Sequence, residues 1–281
     1  MTTHRAKALL LDLDGTLLDS AGVVRPRVKQ ALRELDRTDA HVMIVTGRSA
    51  VSALPVLREL ELDGPAVVFN GAAIIDPRGG KWIEERVLSN RTMARAHEFT
   101  LRAGYQAVVM TAGEKFATRP RDPEEARTLV GLHGTVLVDP ADLPRENVIR
   151  VTWFSREHAD SAAFASELEH EFRDPIYVTH FPLNVLADHR ASPVQVLDVH
   201  APCRGKAEAV RFLAERYDVR PEEIVAVGDA TNDLPMLTAA GVGVAMESGM
   251  PEAIAAADRV IGGNDTDAIA DLVEELFAVR A

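Results

Sequence analysis

The chain has a single cysteine, Cys203, among 281 residues. No disulfide can form within it, so the framework of a small disulfide-stapled secreted domain is excluded. No apolar run approaches eighteen residues, which excludes a transmembrane helix of ordinary length. The opening MTTHRAK runs into an apolar stretch with no room for a signal peptide, and a cytoplasmic location is expected. There is no internal repeat, low-complexity tract, heptad pattern or Cys/His cluster at zinc spacing. Positive charge is also scarce: 31 basic against 43 acidic residues leave a net charge of -12, with no basic patch. Nucleic acid and anionic membrane are therefore not expected as partners.

What remains is an ordinary globular composition, 47% hydrophobic and 26% charged, in a chain long enough for one large or two modest domains. Its most informative stretch is Leu9–Leu18, LLLDLDGTLL. The leucine run reads as a strand buried on both faces, as in a parallel sheet. Asp12 and Asp14 lie two residues apart at its end, so an extended backbone points both carboxylates to one side. A turn at Asp14-Gly15 explains the second aspartate and leaves the first unexplained.

Strands and helices alternate at both ends of the chain. Lys7–Leu13, His41–Val45 and Ala66–Asn70 read as strands, with helices at Pro26–Leu35 and about Ser49–Leu60, and a hairpin over Gly71–Val87 turning at residues 77–80. From about Leu88 to Asp188 the strands become shorter and more polar, with helices at Thr92–Ala103 and Arg156–Phe172. Alternation returns with strands at Val194–Val199, Ile224–Val227, Val242–Met246 and Arg259–Ile261. The helices between them fall at Lys206–Tyr217, Leu234–Ala240 and Glu252–Ala257, and the last at Thr266–Val279. The pattern predicts an α/β fold, a doubly wound mostly parallel sheet over 1–85 and 189–281, interrupted by an α+β module at 86–188.

Three further positions follow apolar strands. Thr46-Gly47-Arg48 offers a hydroxyl and free N–H groups at a strand-to-helix turn, a seat for phosphate, although a helix start alone would explain it equally. Lys206 opens a helix. Asp229, Asn232 and Asp233 in VAVGDATNDLPM exceed what capping one helix requires. A doubly wound sheet gathers strand ends in one crevice, which brings Asp12, Asp14, Asp229 and Asp233 together. Two like charges about 4 Å apart cost roughly 4 kcal/mol at an effective dielectric near 20, so the cluster needs a cation. Oxygen ligands favour Mg²⁺ over zinc. With Lys206, that ion would admit an anion to an acidic protein.

In order and spacing, Asp12-Leu13-Asp14-Gly15-Thr16, Thr46-Gly47-Arg48, Lys206 and Gly228-Asp229-Ala230-Thr231-Asn232-Asp233 resemble the haloacid dehalogenase superfamily of aspartate-nucleophile phosphohydrolases. The insertion is similar in place and size to that family's C2B cap, near the Cof-type sugar phosphatases. Asn70-Gly71-Ala72, Gly243–Met246 and Asn264-Asp265 resemble the same group's secondary motifs. The chain departs from the pattern where Ala207 follows the lysine and Gly205 precedes it, leaving Arg204-Gly205 as a rival alignment. It departs again at Glu247-Ser248-Gly249 and at Ala268 after Asp267.

The resemblance implies a Mg²⁺-dependent phosphatase for a small phosphorylated metabolite, a sugar phosphate first, with FMN or pyridoxal phosphate as other choices. Asp12 would be the nucleophile and Asp14 the general acid and base. Asp12, the Asp14 carbonyl and Asp229 would hold Mg²⁺, with Asp233 acting on it directly or through water. Thr46, Gly47, Lys206 and Asn232 would hold the phosphoryl group. Arg48, Asn70, Asn184, His189 and Arg190, with Phe181, are candidates on the substrate side. The alternatives are a phosphomannomutase-like phosphotransferase, which needs a basic cluster in the insertion such as Arg119, Arg121, Arg145 and Arg150, and a non-catalytic binding module. Monomer and homodimer are both compatible with the sequence. Cys203, His41, His200, Trp82 and Trp153 read as structural.

Overall fold

The computed structural model describes residues 6–277. In its first part, strands β1 (Ala8–Leu11), β2 (His41–Val45), β3 (Ala66–Val68), β4 (Ala73–Asp76) and β5 (Lys81–Glu85) are joined by helices α1 (Pro26–Asp36) and α2 (Ala50–Leu60). The middle holds α3 (Asn90–Ala103), β6 (Gln106–Met110), β7 (Lys115–Thr118), α4 (Pro123–Thr128), β8 (Thr135–Val138), β9 (Arg150–Ser155), α5 (Ser161–Glu169), β10 (Tyr177–Pro182) and β11 (Gln195–His200). The last part holds α6 (Glu208–Tyr217), β12 (Ile224–Gly228), α7 (Leu234–Ala239), β13 (Val242–Met246), α8 (Pro251–Ala256), β14 (Arg259–Ile261) and α9 (Ala268–Phe277).

The chain divides into two units. One comprises Ser49–Ser52 and Glu85–Cys203, and the other the remaining described residues. The first sheet runs β14-β13-β12-β1-β2-β3-β4-β5. Its strands are parallel from β14 to β3, and β4 returns antiparallel against β3. All four residues of β1 are buried, as an apolar run flanked by two parallel neighbours must be. In α1, Pro26 occupies the first turn and Val28, Ala31, Leu32 and Leu35 form the buried stripe, the i, i+3, i+4, i+7 pattern of an amphipathic helix. Helix α2 continues through Pro55.

Because β2 and β3 build outward on one side of β1 while β12 and β13 build on the other, the chain reverses its winding between β1 and β12. That is the topological switch point at which open parallel sheets form crevices beyond the carboxyl ends of their strands.

The second sheet runs β10-β11-β9-β6-β7-β8 and is antiparallel except for β7 and β8. One face packs Val109, Val151, Trp153, Leu197 and Val199 against Phe99 and Phe164. Trp153 lies fully buried, edge-on to Phe99 at 5.3 Å, and its indole donates to the Thr100 hydroxyl.

The expected boundary at 188 and the expected place of the strand after it are corrected here. Gln195–His200 pairs with β9 and β10 in the second sheet, and the return to the first unit comes at Arg204. The helix expected at Arg156–Phe172 is shorter, Ser161–Glu169, because Asp160 caps it through the Ala163 N–H at 2.8 Å. The terminal helix begins at Ala268, and its expected end at Val279 lies outside the described residues. The short helix α4, capped by Asp122, was not expected. Cys203 is half-buried. Among the described residues no helix is long and apolar enough to cross a membrane.

Candidate active site

Four polar residues leave the carboxyl ends of first-sheet strands: Asp12 after β1, Thr46 after β2, Asn70 in the turn after β3 and Asp229 after β12. The Asp12 N–H donates to the Val227 carbonyl at 3.1 Å, extending the β1–β12 pairing to the nucleophile candidate. Lys206 arrives by another route. It lies in a single 3-10 turn, Gly205–Ala207, ahead of α6. Gly71, at φ +101°, lets that turn approach: a Cβ there would lie 2.1 Å from the Gly205 carbonyl oxygen.

At the centre is a buried chain of charges. The Lys206 ammonium, with no exposed surface, donates to Asp12 Oδ1 at 2.6 Å and Asp233 Oδ1 at 2.5 Å. Asp233 Oδ2 accepts the N–H groups of Asp229 and Ala230 at 2.9 and 3.0 Å. Both Asp233 oxygens are therefore already engaged. Gly228 has no side chain because a Cβ would sit 2.5 Å from the Asp233 carboxyl carbon. Asp229 is steered by Thr16, whose hydroxyl donates to its Oδ1 at 2.8 Å. At Gly15, φ +78°, a Cβ would lie 2.3 Å from the same carboxylate. The Gly-Thr of the first motif thus shapes the seat of Asp229.

Asp12, Asp229 and Asp233 can each offer a carboxylate oxygen within 4.8 Å of the others. Three carboxylates against one ammonium leave two negative charges uncompensated. Burial, and then the neighbouring carboxylates, push the Asp12 carboxyl well above its ordinary range, although Lys206 opposes this. Burial and Asp233 push Asp229 up to about 6 against the Thr16 hydrogen bond and Lys206. Lys206 itself, despite the opposing effect of burial, is held above its ordinary value by Asp12 and Asp233. An all-oxygen cluster short of two positive charges fits a hard divalent cation.

A titration consequence follows. A carboxyl raised by folding stabilises the protein below its ordinary value near 4, and that contribution is lost as pH rises to about 6. A cation must displace the retained proton, so its affinity falls by up to about tenfold per pH unit below 6 for each proton released. The rise in melting temperature given by Mg²⁺ over EDTA should therefore be larger at pH 7 than at pH 5. Taking the difference cancels the other carboxylates. An equal rise at both values would mean that no ligand titrates in this window.

Around this centre the second ring of candidates is tied together. Arg48 grips Asp14 with two hydrogen bonds, Nε to Oδ2 at 2.8 Å and Nη2 to Oδ1 at 2.5 Å, on the exposed side of the cluster. The buried Thr46 hydroxyl accepts the Arg48 N–H at 3.1 Å. Asn70 is buried at φ +53° beside Phe69 at the same angle. Two such non-glycine residues store about 1–3 kcal/mol each. The Asn70 carboxamide oxygen accepts Asn232 Nδ2 at 3.0 Å, and a Cβ on Gly47 would lie 2.9 Å from that same oxygen.

The structure thus brings together Asp12, Asp14, Thr46, Gly47, Arg48, Asn70, Lys206, Asp229, Asn232 and Asp233. Lys206 and not Arg204 reaches Asp12; Arg204 contributes only a backbone N–H, donated to Glu208. Asn184, His189 and Arg190 lie in the second unit, in and just after short turns that follow β10. Asn184 and Arg190 are exposed, while His189 is buried with its Nε2 3.2 Å from the Val130 carbonyl. Arg119, Arg121, Arg145 and Arg150 do not gather: they pair with Asp139, Glu125, His97 and Asp198 respectively. Thr16 escaped sequence reasoning, although it stood inside the first motif. Asn264 and Asp265 hold the loop after β1, by Asn264 Nδ2 to the Leu18 carbonyl and the Ser20 N–H to Asp265.

Comparisons with known proteins agree with this geometry. Residues 9–273 match the family of haloacid dehalogenase-like hydrolases. The 5-amino-6-(5-phospho-D-ribitylamino)uracil phosphatase YitU of Bacillus subtilis is 27% identical over 279 residues, 96% of this chain and 97% of that protein. The stress response protein YhaX of the same organism is 25% identical over 276 residues, 97% of this chain and 93% of that one. Among solved structures, BT1666 from Bacteroides thetaiotaomicron, described among phosphatases of the haloalkanoate (HAD) enzyme superfamily, superimposes with a TM-score of 0.80 at 25% identity. It covers 99% of this chain and 97% of its own.

Proposed function

Because the chain belongs to the haloacid dehalogenase-like hydrolases, we propose that it is a Mg²⁺-dependent phosphomonoesterase working through an aspartyl-phosphate on Asp12. The observation that carries this reading is the buried Lys206 bridging Asp12 and Asp233 beside Asp229, at the switch point of the sheet. A buried lysine between two carboxylates orients them, and the excess negative charge leaves room for a dication. The relatives' phosphatase names agree with it. The substrate class is a small phosphorylated metabolite, with sugar phosphates first.

Asp12 and Asp229, with the Asp14 carbonyl, would hold the metal. Asp233, whose oxygens already accept Lys206 and two N–H groups, fits a water-mediated role. When bound, the cation neutralises phosphoryl oxygens and lets two anions approach each other.

Lys206 holds Asp12 Oδ1, which leaves Oδ2 to attack phosphorus in line. The P–O ester bond breaks as the Asp12–phosphorus bond forms, and the leaving alkoxide takes a proton from Asp14. Asp14 must first leave Arg48, which occupies both of its oxygens. The incoming phosphoryl dianion competes for that guanidinium and so frees the acid as it binds. Water then attacks the phosphoaspartate, Asp14 accepts its proton, and inorganic phosphate leaves with Asp12 restored. Thr46, the Gly47 N–H, Lys206 and Asn232 hold phosphoryl oxygens, and positioning with charge stabilisation supplies most of the rate.

The test is phosphate release from sugar phosphates, FMN, pyridoxal phosphate and p-nitrophenyl phosphate, each with Mg²⁺ and with EDTA. Turnover that requires Mg²⁺ is expected on at least one ester. A folded, Mg²⁺-binding protein that hydrolyses none of them would sink the reading.

A further inference from the structure

The second unit carries a cavity of its own, about 110 Å³ in volume, between the start of α3 and the segment that follows α5. Helix α3 contributes Arg91, Thr92 and Arg95, and residues 170–174 contribute Arg173 and Asp174. Arg91 and Arg95 stand at i and i+4, so they share one face of the helix, where like charges repel. Arg173 reaches the same cavity from a distant part of the sequence, and all three arginines are exposed. In a chain of net charge -12, the fold thus gathers three guanidinium groups around one opening.

The walls are held in place by the unit itself. Asp174 Oδ2 accepts the Ser89 hydroxyl at 3.2 Å and the Thr92 hydroxyl at 3.4 Å, which ties the segment after α5 to the first turn of α3. Glu171 is paired with Arg102, and its N–H donates to the Leu168 carbonyl at 2.9 Å. The Phe172 ring packs on the unit's core, 6.4 Å from Trp153. Both carboxylates on the wall are therefore already engaged, and the arginines are not. Arg91 Nη1 stands 3.7 Å from Asp174, and Arg95 Nη1 stands 3.6 Å from the exposed Glu98. Both separations exceed the roughly 2.7–2.9 Å of a charge-assisted hydrogen bond. Arg173 has no hydrogen bond or ion pair among the described residues.

We infer that this cavity binds one small oxyanion of the phosphate class, with Arg91, Arg95 and Arg173 as its donors. A guanidinium presents its N–H groups as a planar fork that matches two oxygens of a phosphate, and three such forks carry more positive charge than Asp174 answers. The volume has room for several waters, and so for one phosphate group in their place. The seat lies wholly in the second unit and does not depend on the reaction at Asp12. Its occupant is either free inorganic phosphate or the phosphoryl group of a small metabolite.

Titration of the isotope-labelled full chain with inorganic phosphate, in EDTA and at constant ionic strength, follows the seat through the arginine Nε–H resonances. The signals of Arg91, Arg95 and Arg173 should move along one saturation curve. Arg48, bonded to Asp14, reports any phosphate bound near Asp12 on a separate curve. Arg173→Gln should weaken the binding read at Arg95 by about fivefold or more, and Arg95→Gln should do the same to the binding read at Arg173. Both substitutions fall on exposed side chains, so the variants should fold and keep their phosphate release in Mg²⁺ unchanged. No saturable shift at Arg173 in the wild-type chain, or an unchanged curve at Arg95 in Arg173→Gln, overturns the inference.

Glycerol phosphate in place of inorganic phosphate separates the two sources. Binding as tight as that of inorganic phosphate assigns the seat to a phosphorylated metabolite. Binding weaker by about tenfold or more assigns it to the free ion.

Discussion

Asp12→Asn should lower phosphate release by about 10⁴-fold or more while leaving the protein folded and no less stable. The amide keeps the shape of the carboxylate and an oxygen that can still accept the Lys206 ammonium now 2.6 Å away. It removes a buried negative charge from a cluster that holds too many, so the melting temperature in EDTA should hold or rise. On the proposed mechanism it removes the attacking oxygen, and its neighbours Asp233 and Thr16 are already engaged: Asp233 is fully buried with both oxygens accepting hydrogen bonds, and Thr16 is tied to Asp229. Two competing roles for Asp12 give different results. A residue that only ligated the cation would recover much of its rate at high Mg²⁺, whereas a nucleophile does not. Acid quench of the wild-type enzyme during turnover should also trap phosphate on protein, and the Asp12→Asn protein should trap none. Rescue by Mg²⁺, or trapped phosphate in the variant, would remove Asp12 from the nucleophile's place.

Asp12, the proposed nucleophile, was legible because its strand is unambiguous. Four consecutive buried residues, followed by two aspartates and a glycine held at φ +78°, belong at the end of a central parallel strand and fit few other places. Asp229 was legible for the same reason. The strand at 195–200 was not. In isolation Val-Leu-Asp-Val suits either sheet, and the sequence does not name a strand's hydrogen-bonding partner. A signal was nonetheless present. Asp198 and His200 fall on one face and Leu197 and Val199 on the other, the alternation of a strand with one polar face rather than the continuous run seen in β1. Reading it would have moved the boundary from 188 to Arg204.

The Arg48–Asp14 grip and the bond from Thr16 to Asp229 were also out of reach. Each is a side-chain contact across loops separated by 34 and 213 residues, set by tertiary packing rather than local pattern. Lys206 was found by its place in the order of motifs. Its burial could not be foreseen, since a lysine at a helix start is ordinarily solvated.

That burial gives Lys206 the second large effect. Lys206→Met keeps the length and apolar stem of the side chain and deletes the ammonium, leaving Asp12 Oδ1 and Asp233 Oδ1 facing each other without a donor. Breaking a buried ion pair from one side costs about 3–5 kcal/mol. That is a large share of the roughly 5–15 kcal/mol that holds a typical domain folded. A fall in melting temperature on the order of 10 °C is expected in EDTA. The fall should be smaller in saturating Mg²⁺, because the dication then shares the work of neutralising the carboxylates. Turnover should drop by about 10²–10³-fold even in Mg²⁺, the loss typical of one preorganised donor to a developing anion. Lys206→Arg should not rescue it. The site is fully buried and sized to a point donor reaching two carboxylates at 2.6 and 2.5 Å, and a planar guanidinium demands a wider, forked approach. The dependence on Mg²⁺ separates this account from simple loss of packing. A cavity or a lost methylene contact would destabilise equally with and without the ion, whereas an uncompensated pair of carboxylates must be worse without it.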